Sequence, residues 1–159
     1  MNEKELLELI KEIVRDFFDK AGSEIEIKKI FLEESEGREI LMLNLKTKDA
    51  NIFIGRQGLV LSDIQLLLRK IIKKKTGKEF FLNLDIDDYK KYKEDYLREM
   101  AQSAADEAVN GKQKKELPLA SAFDRRIVYL ELSKRNDIKA ESTGEGEERK
   151  IVLTPLEEN

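Results

Sequence analysis

Gly55-Arg56-Gln57-Gly58 interrupts an apolar run, IFIGRQGLVL, with two glycines around an arginine and a glutamine. Glycine lets a backbone approach a ligand closely, arginine supplies a fixed charge with a fork of donors, and glutamine adds hydrogen bonding. A helix opening at the second glycine would contribute its first N–H groups and partial positive charge, which makes the stretch a candidate phosphate grip. A plain helix–helix turn has the same tetrapeptide, so its neighbours must decide. A second candidate is FDRRIVYLEL, where Arg125 and Tyr129 stand four apart and share a helix face, with Phe123, Ile127 and Leu130 pointing roughly the opposite way. Guanidinium for phosphate and an aromatic ring for a base suit single strands, although an ordinary amphipathic helix explains that spacing too. A third is Asp85, Asp87 and Asp88, which could hold a magnesium ion. A strand end followed by a helix N-cap explains these carboxylates without a metal.

Composition narrows the chemistry. The 159 residues contain no cysteine and no histidine, which removes thiolate nucleophiles, imidazole bases, Ser-His triads and the usual zinc ligand sets. A non-enzymatic protein without cofactor or metal is the expectation. No apolar run approaches the roughly 20 residues of a membrane span. The charges scattered through MNEKELLELIKEIV do not read as a signal peptide, so a cytoplasmic location is expected. The net charge of −3 argues at first against a polyanionic partner, but it hides a pattern. Residues 50–78 carry seven basic and one acidic side chain, and residues 112–135 carry seven and three. Each basic island coincides with a motif above, which favours polyanion binding.

The elements that would position these residues follow from periodicity. Leu6 to Phe18 recurs at helical spacing and ends near Ala21-Gly22. EIEIKKIFLEE and EILMLNLKTK read as strands joined by the turn SEGRE. A short helical turn over 49–54 leads into Gly55, and a helix follows from Gly58 to about Thr76. Its predicted buried face is Leu61, Ile64, Leu67, Leu68, Ile71 and Ile72, with Gly77 as C-cap. EFFLNLDI is a third strand. Asp87 or Asp88 is the expected N-cap of the next helix, whose inner face reads Tyr89, Tyr92, Tyr96, Leu97, Met100, Ala101, Ala104 and Ala108. KQKKELPL is a basic connector with a possible short strand, Ser121 and Asp124 resemble a capping box, and IKAES and RKIVLTP flank TGEGEE as a hairpin. The fold class is α+β: α-β-β-α-α-β over residues 1–86, then α-(β)-α-β-β over 87–159. The first order matches a type II KH domain, in which a GxxG loop clamps about four nucleotides of a single strand. Bases would then lie beside the loop, against Ile54, Leu59 and parts of the third strand.

IGRQGLVLSDIQLLL, LDIDDYKKYKEDYLREMA, and FDRRIVYLEL followed by ESTGEGEERKIVL together resemble the Jag family of SpoIIIJ-associated RNA-binding proteins. The resemblance covers roughly residues 24–155. It implies a KH domain followed by a domain named for an Arg-x-x-x-His motif, single-stranded RNA as ligand, and a post-transcriptional role linked to cell envelope growth and division. It also implies a KH-only protein as partner and a peripheral link to a membrane insertase; that link supports a competing reading as a protein-interaction adaptor. The expected RNA-binding residues are Ile54, Gly55, Arg56, Gln57 and Gly58 with Lys70, Lys73 and Lys74 in the first domain. In the second they are Arg125, Arg126 and Tyr129 with Lys112, Lys114 and Lys115. Two departures stand out: Tyr129 occupies the motif's histidine position, and the loop carries one basic residue where the family tends to have two.

Overall fold

The first helix, α1 (Glu3–Lys20), starts where Asn2 Oδ1 accepts from the Glu5 N–H and Glu5 Oε2 accepts from the Asn2 N–H, each at 2.9 Å. This reciprocal cap satisfies two of the donors that every helix start leaves over. The computed structural model describes residues 1–119 and 121–157, which form two units, Met1–Lys90 and Lys91–Asn159.

In the first unit, β1 (Glu26–Ser35) and β2 (Arg38–Lys46) form an antiparallel hairpin closed by Glu36 and Gly37. Both turn residues are left-handed, at φ 52° and 72°, as a twisted two-residue hairpin requires. β3 (Phe81–Ile86) pairs parallel to β2, from Ile40↔Phe81 to Leu45↔Ile86, giving the order β1-β2-β3. A parallel pair needs a crossover. That crossover is α2 (Ala50–Ile54), a tight turn at Arg56–Gly58, and α3 (Leu59–Thr76). Alternation by two puts Leu41, Leu43, Leu45, Leu82, Leu84 and Ile86 into one core with α1 and α3.

In α3 the buried stripe is Leu61, Ile64, Leu68 and Ile72, and Gly77 caps the helix in the left-handed conformation. Leu67, expected inside, is 48% exposed. It lies about 100° around the helix from Leu68, beyond the width that one sheet can cover.

The second unit begins within α4 (Tyr89–Gly111), whose alanines Ala101, Ala104, Ala105 and Ala108 are buried with Leu97. Tyr92 and Tyr96, expected on that inner face, are 71% and 64% exposed. Small residues let backbones pack closely, and rings at those two positions fall on the outer side of the stripe. The expected cap also differs: the first-turn N–H of Lys90 donates to Asp85 Oδ1 at 3.2 Å, while Asp87 Oδ1 accepts from the Thr47 N–H.

β4 (Lys115–Leu117), α5 (Ala122–Leu132), β5 (Ile138–Thr143) and β6 (Lys150–Pro155) complete the unit, with sheet order β4-β6-β5, all antiparallel. Ser121 caps α5 by accepting the Asp124 N–H, as expected. Ile127, Val128 and Leu132 face Ile151 and Leu153 of the central strand, but Phe123 and Leu130 stay exposed. Arg135 clamps Asp137 with two bonds at 2.8 and 2.7 Å and reaches Asp106 at 2.6 Å, tying α4 to the entry of β5.

Leu43→Ala should cost about 2–5 kcal/mol in urea unfolding, the range for emptying a fully buried leucine site. Arg135 holds the Asp137 carboxyl below its ordinary range through its hydrogen bonds. A depressed carboxylate contributes stability above its unfolded pKa, about 3.9, and loses it as pH falls through the folded value. Arg135→Ala should therefore lower the urea midpoint at neutral pH, with the deficit closing below about pH 4.

Candidate nucleic-acid interface

The chain leaves α2 through Gly55 at φ 69°, ψ −175°, passes Arg56, then Gln57 at φ 55° and Gly58 at φ 77°. Left-handed backbone is costly for residues with a Cβ. Packing makes both glycines necessary as well. A Cβ on Gly55 would lie 2.3 Å from Val60 Cγ2, and one on Gly58 would lie 2.8 Å from Tyr89 Cε1. The loop is thus folded back on the first turn of α3 and supported by the Tyr89 ring. Arg56 and Gln57 are exposed at its tip, while Gly58 is buried and Ile54 half-buried against the core.

Gly58 stands at the N-cap of α3 and has no side chain to cap it. The Gly58 and Leu59 N–H groups donate to the Gly55 and Arg56 carbonyls, and the next N–H groups of the first turn have no Ser, Thr or Asp cap. The root of the loop is fixed from below. Ser23 Oγ donates to Asp49 Oδ2 at 2.6 Å, and Thr47 Oγ1 donates to the Glu24 carbonyl and accepts from the Asp49 N–H. Buried Ser23 and Thr47 so join the end of α1, the end of β2 and the start of α2.

Beside the loop runs the free edge of β3. The Leu84 N–H donates to Gln65 Oε1 at 3.0 Å. Lys90 Nζ donates to Asn83 Oδ1 at 2.6 Å and to the same Gln65 oxygen at 3.2 Å. Sequence reading missed Gln65, Asn83 and Lys90; the only signal was polar residues at alternate positions of an otherwise apolar strand and helix. Burial holds the Lys90 ammonium below its ordinary pKa and pushes the Asp85 carboxyl up, against the pull of two backbone N–H bonds. Asp85 and Asp87 are thus spent on backbone donors. Among the described residues no group of three or more His, Cys, Asp or Glu is placed to hold a metal.

The expected lysines divide. Lys70 and Lys74 are exposed and form no ion pair among the described residues, whereas Lys73 Nζ is 2.7 Å from Glu79 Oε2. In the second unit Lys112 and Lys114 are exposed and Lys115 pairs with Glu107. Arg126 is exposed on α5, with Phe123 and Leu130 on the same side of the helix. Arg125 and Tyr129 are half-buried and each makes a bond within the unit: Arg125 Nη1 donates to the Leu119 carbonyl at 2.9 Å, and Tyr129 Oη donates to Ser142 Oγ at 2.8 Å. Beside them, buried Asp124 Oδ1 meets Lys93 Nζ at 3.1 Å without hydrogen-bond alignment.

Gly58→Ala and Gly77→Ala separate backbone strain from crowding. Both residues have similar positive φ, but a Cβ at Gly77 meets nothing within 4 Å. Gly77→Ala should cost about 1 kcal/mol in thermal unfolding. Gly58→Ala should cost clearly more, and Tyr89→Ala should reduce that excess in the double variant; equal costs would contradict the support given by Tyr89.

A model of the domain named for its Arg-x-x-x-His motif matches residues 95–155. The chain is 24% identical over 148 residues to the RNA-binding protein KhpB of Clostridium symbiosum, covering 93% of this chain and 65% of that protein. It is 27% identical over 123 residues to KhpB of Lactiplantibacillus plantarum, covering 77% and 38%. With KhpB of Bacillus subtilis the identity is 24% over 121 residues, covering 75% and 58%. The chain thus spans less than two thirds of the length of each of these relatives. A match to the Arg-x-x-x-His domain within the second unit, with relatives of one name aligned across most of the chain, agrees with the resemblance to the Jag family.

Proposed function

We propose that the chain binds single-stranded RNA and that residues 1–86 do so as a type II KH domain. The observation that carries this reading is the left-handed Gly55–Gly58 loop seated at the uncapped start of α3, with Arg56 exposed at its tip. Backbone N–H groups, a helix N-terminus and one guanidinium would together suit an anion such as a phosphodiester. The order α-β-β-α-α-β with β3 parallel to β2 supports it, as do the relatives' names as RNA-binding proteins. Lys70 and Lys74 extend the positive field along α3. Bases would lie along the β3 edge, where Ile54 and Leu59 offer apolar contact and Gln65, Asn83 and Lys90 offer donors and acceptors.

Residues 87–159 would add a second, weaker contact through exposed Arg126, Lys112 and Lys114 beside Phe123. Arg125 and Tyr129 would shape that surface more than touch the ligand, because each already holds a scaffold bond. A phenol cannot carry the positive charge that an imidazole at the motif's histidine position could, so this contact lacks one possible cation. Two weak sites on one chain would then set affinity by avidity. The biological reading is a non-enzymatic, cytoplasmic post-transcriptional regulator linked to cell envelope growth.

One observation favours a second reading, a protein-interaction adaptor. Leu59, Leu66 and Leu67 are exposed on the solvent side of α3, an apolar surface suited to a protein partner such as a KH-only chain.

Fluorescence anisotropy with short single-stranded RNA pools tests both readings. The native chain should bind at low salt, with log affinity falling by about 0.7 per phosphate contact per decade of salt. Arg56→Asp with Gln57→Asp should abolish most of that salt-sensitive signal. Unchanged binding in the variant would move the site to the second unit, and no binding by the native chain at low salt would favour the adaptor.

A further inference from the structure

At the end of β3 far from the loop, two guanidiniums converge on one ring. Arg38, at the start of β2, and Arg69, on α3, each place Cζ 5.1 Å from the centroid of Phe81. Phe81 is 44% exposed, and its position opposite Ile40 brings it next to the first residues of β2. The local charge is unbalanced. Arg69 Nη2 lies 3.3 Å from Glu79 Oε1, but Glu79 also takes Lys73 at 2.7 Å. Arg38 forms no ion pair among the described residues, although Glu36 and Glu39 flank it in sequence. Arg69 and Lys73 thus share one carboxylate, and Arg38 has none within ion-pair distance among the described residues.

We propose that Arg38 and Arg69, held against Phe81, form a second phosphate clamp for the RNA strand that the Gly55–Gly58 loop grips. The proposal rests on the RNA reading of that loop. Stacking on an aromatic face orients a guanidinium while leaving its N–H edge available, so little side-chain freedom remains to be lost when a phosphate binds. Two like charges beside one ring repel each other, and an anion bound nearby lowers that cost. A phosphodiester has two free oxygens that accept from guanidinium forks, and an RNA strand already held at the loop brings further phosphates to this end of α3. Position agrees: α3 advances 1.5 Å per residue, so Arg69 lies about 15 Å along the helix from Leu59. A strand of about four nucleotides is filled by the loop alone, whereas a longer one reaches the arginines.

The test compares single-stranded RNAs of about four and about ten nucleotides. They are titrated by anisotropy against the native chain, Arg38→Gln with Arg69→Gln, Phe81→Leu, and Arg56→Asp with Gln57→Asp. Thermal melts confirm that each variant is folded. The arginine pair should weaken the longer RNA about tenfold and reduce its salt slope by about 0.7 for each phosphate lost, with the shorter RNA unaffected. Phe81→Leu should give a smaller loss on the longer RNA alone, since both charges remain but are no longer held. The loop variant should weaken both lengths. Equal binding of the longer RNA by native and arginine-pair chains overturns the clamp while leaving the loop reading intact. Equal weakening of both lengths by the arginine pair also overturns it, because the residues then act through the fold. A native chain that binds neither length overturns the RNA reading, and the clamp with it.

Discussion

Everything proposed for the first unit depends on one backbone constraint, the left-handed passage from Gly55 to Gly58. It turns the chain between two helices in four residues, leaves Arg56 and Gln57 at the tip, and delivers Gly58 to the start of α3 with no side chain over the first N–H groups. Such a passage is unfavourable in isolation. Contacts on both sides hold it: Val60 fills the space beside Gly55, and Tyr89 fills the space beside Gly58. Tyr89 is in place because Asp87 and Asp88, at φ 52° and 55°, turn the chain sharply after β3. The parallel pairing of β3 with β2 then decides where that turn falls. Loop, crossover and sheet therefore specify one another, and the Ser23–Thr47–Asp49 hydrogen bonds close the assembly from the opposite side.

The second unit spends its motif differently. An arginine and an aromatic residue four apart suggested a binding face, but each is half-buried and bonded to its own domain, Arg125 to the Leu119 carbonyl and Tyr129 to Ser142. The side chain that remains outward is Arg126, with Phe123 and Leu130. Rigidity here comes from Arg135, whose fork joins α4 to β5 in a bidentate geometry that lysine could not reproduce.

Much of this was legible in the sequence because hydrophobic period decides which face is buried. Leu41, Leu43 and Leu45 alternate and are buried, Gly77 ends α3, and the SEGRE and TGEGEE turns join strands as expected. The misreadings share a cause. Leu67, Tyr92 and Tyr96 are apolar or aromatic and lie near a buried stripe, so period alone assigns them inward. How wide a stripe is covered depends on the partner surface, which periodicity does not contain. The alanines of α4 bury completely because they are small, and this pushes the tyrosines outward. The polar edge of β3 and the Arg38–Phe81–Arg69 stack stayed hidden for another reason: each joins residues separated by tens of positions, and only the sheet register brings them together. The loop was readable because its backbone path and close packing require glycine at two nearby positions.

Amide chemical-shift mapping by heteronuclear NMR, with a short single-stranded RNA added at low salt, tests the phosphate grip most directly. The grip predicts the largest shifts at the amides of Gly55 through Leu61, along with the Arg56 guanidinium, and their reversal as salt is raised. Shifts confined to α5 and the basic connector, or salt-independent shifts along the exposed leucines of α3, would contradict it.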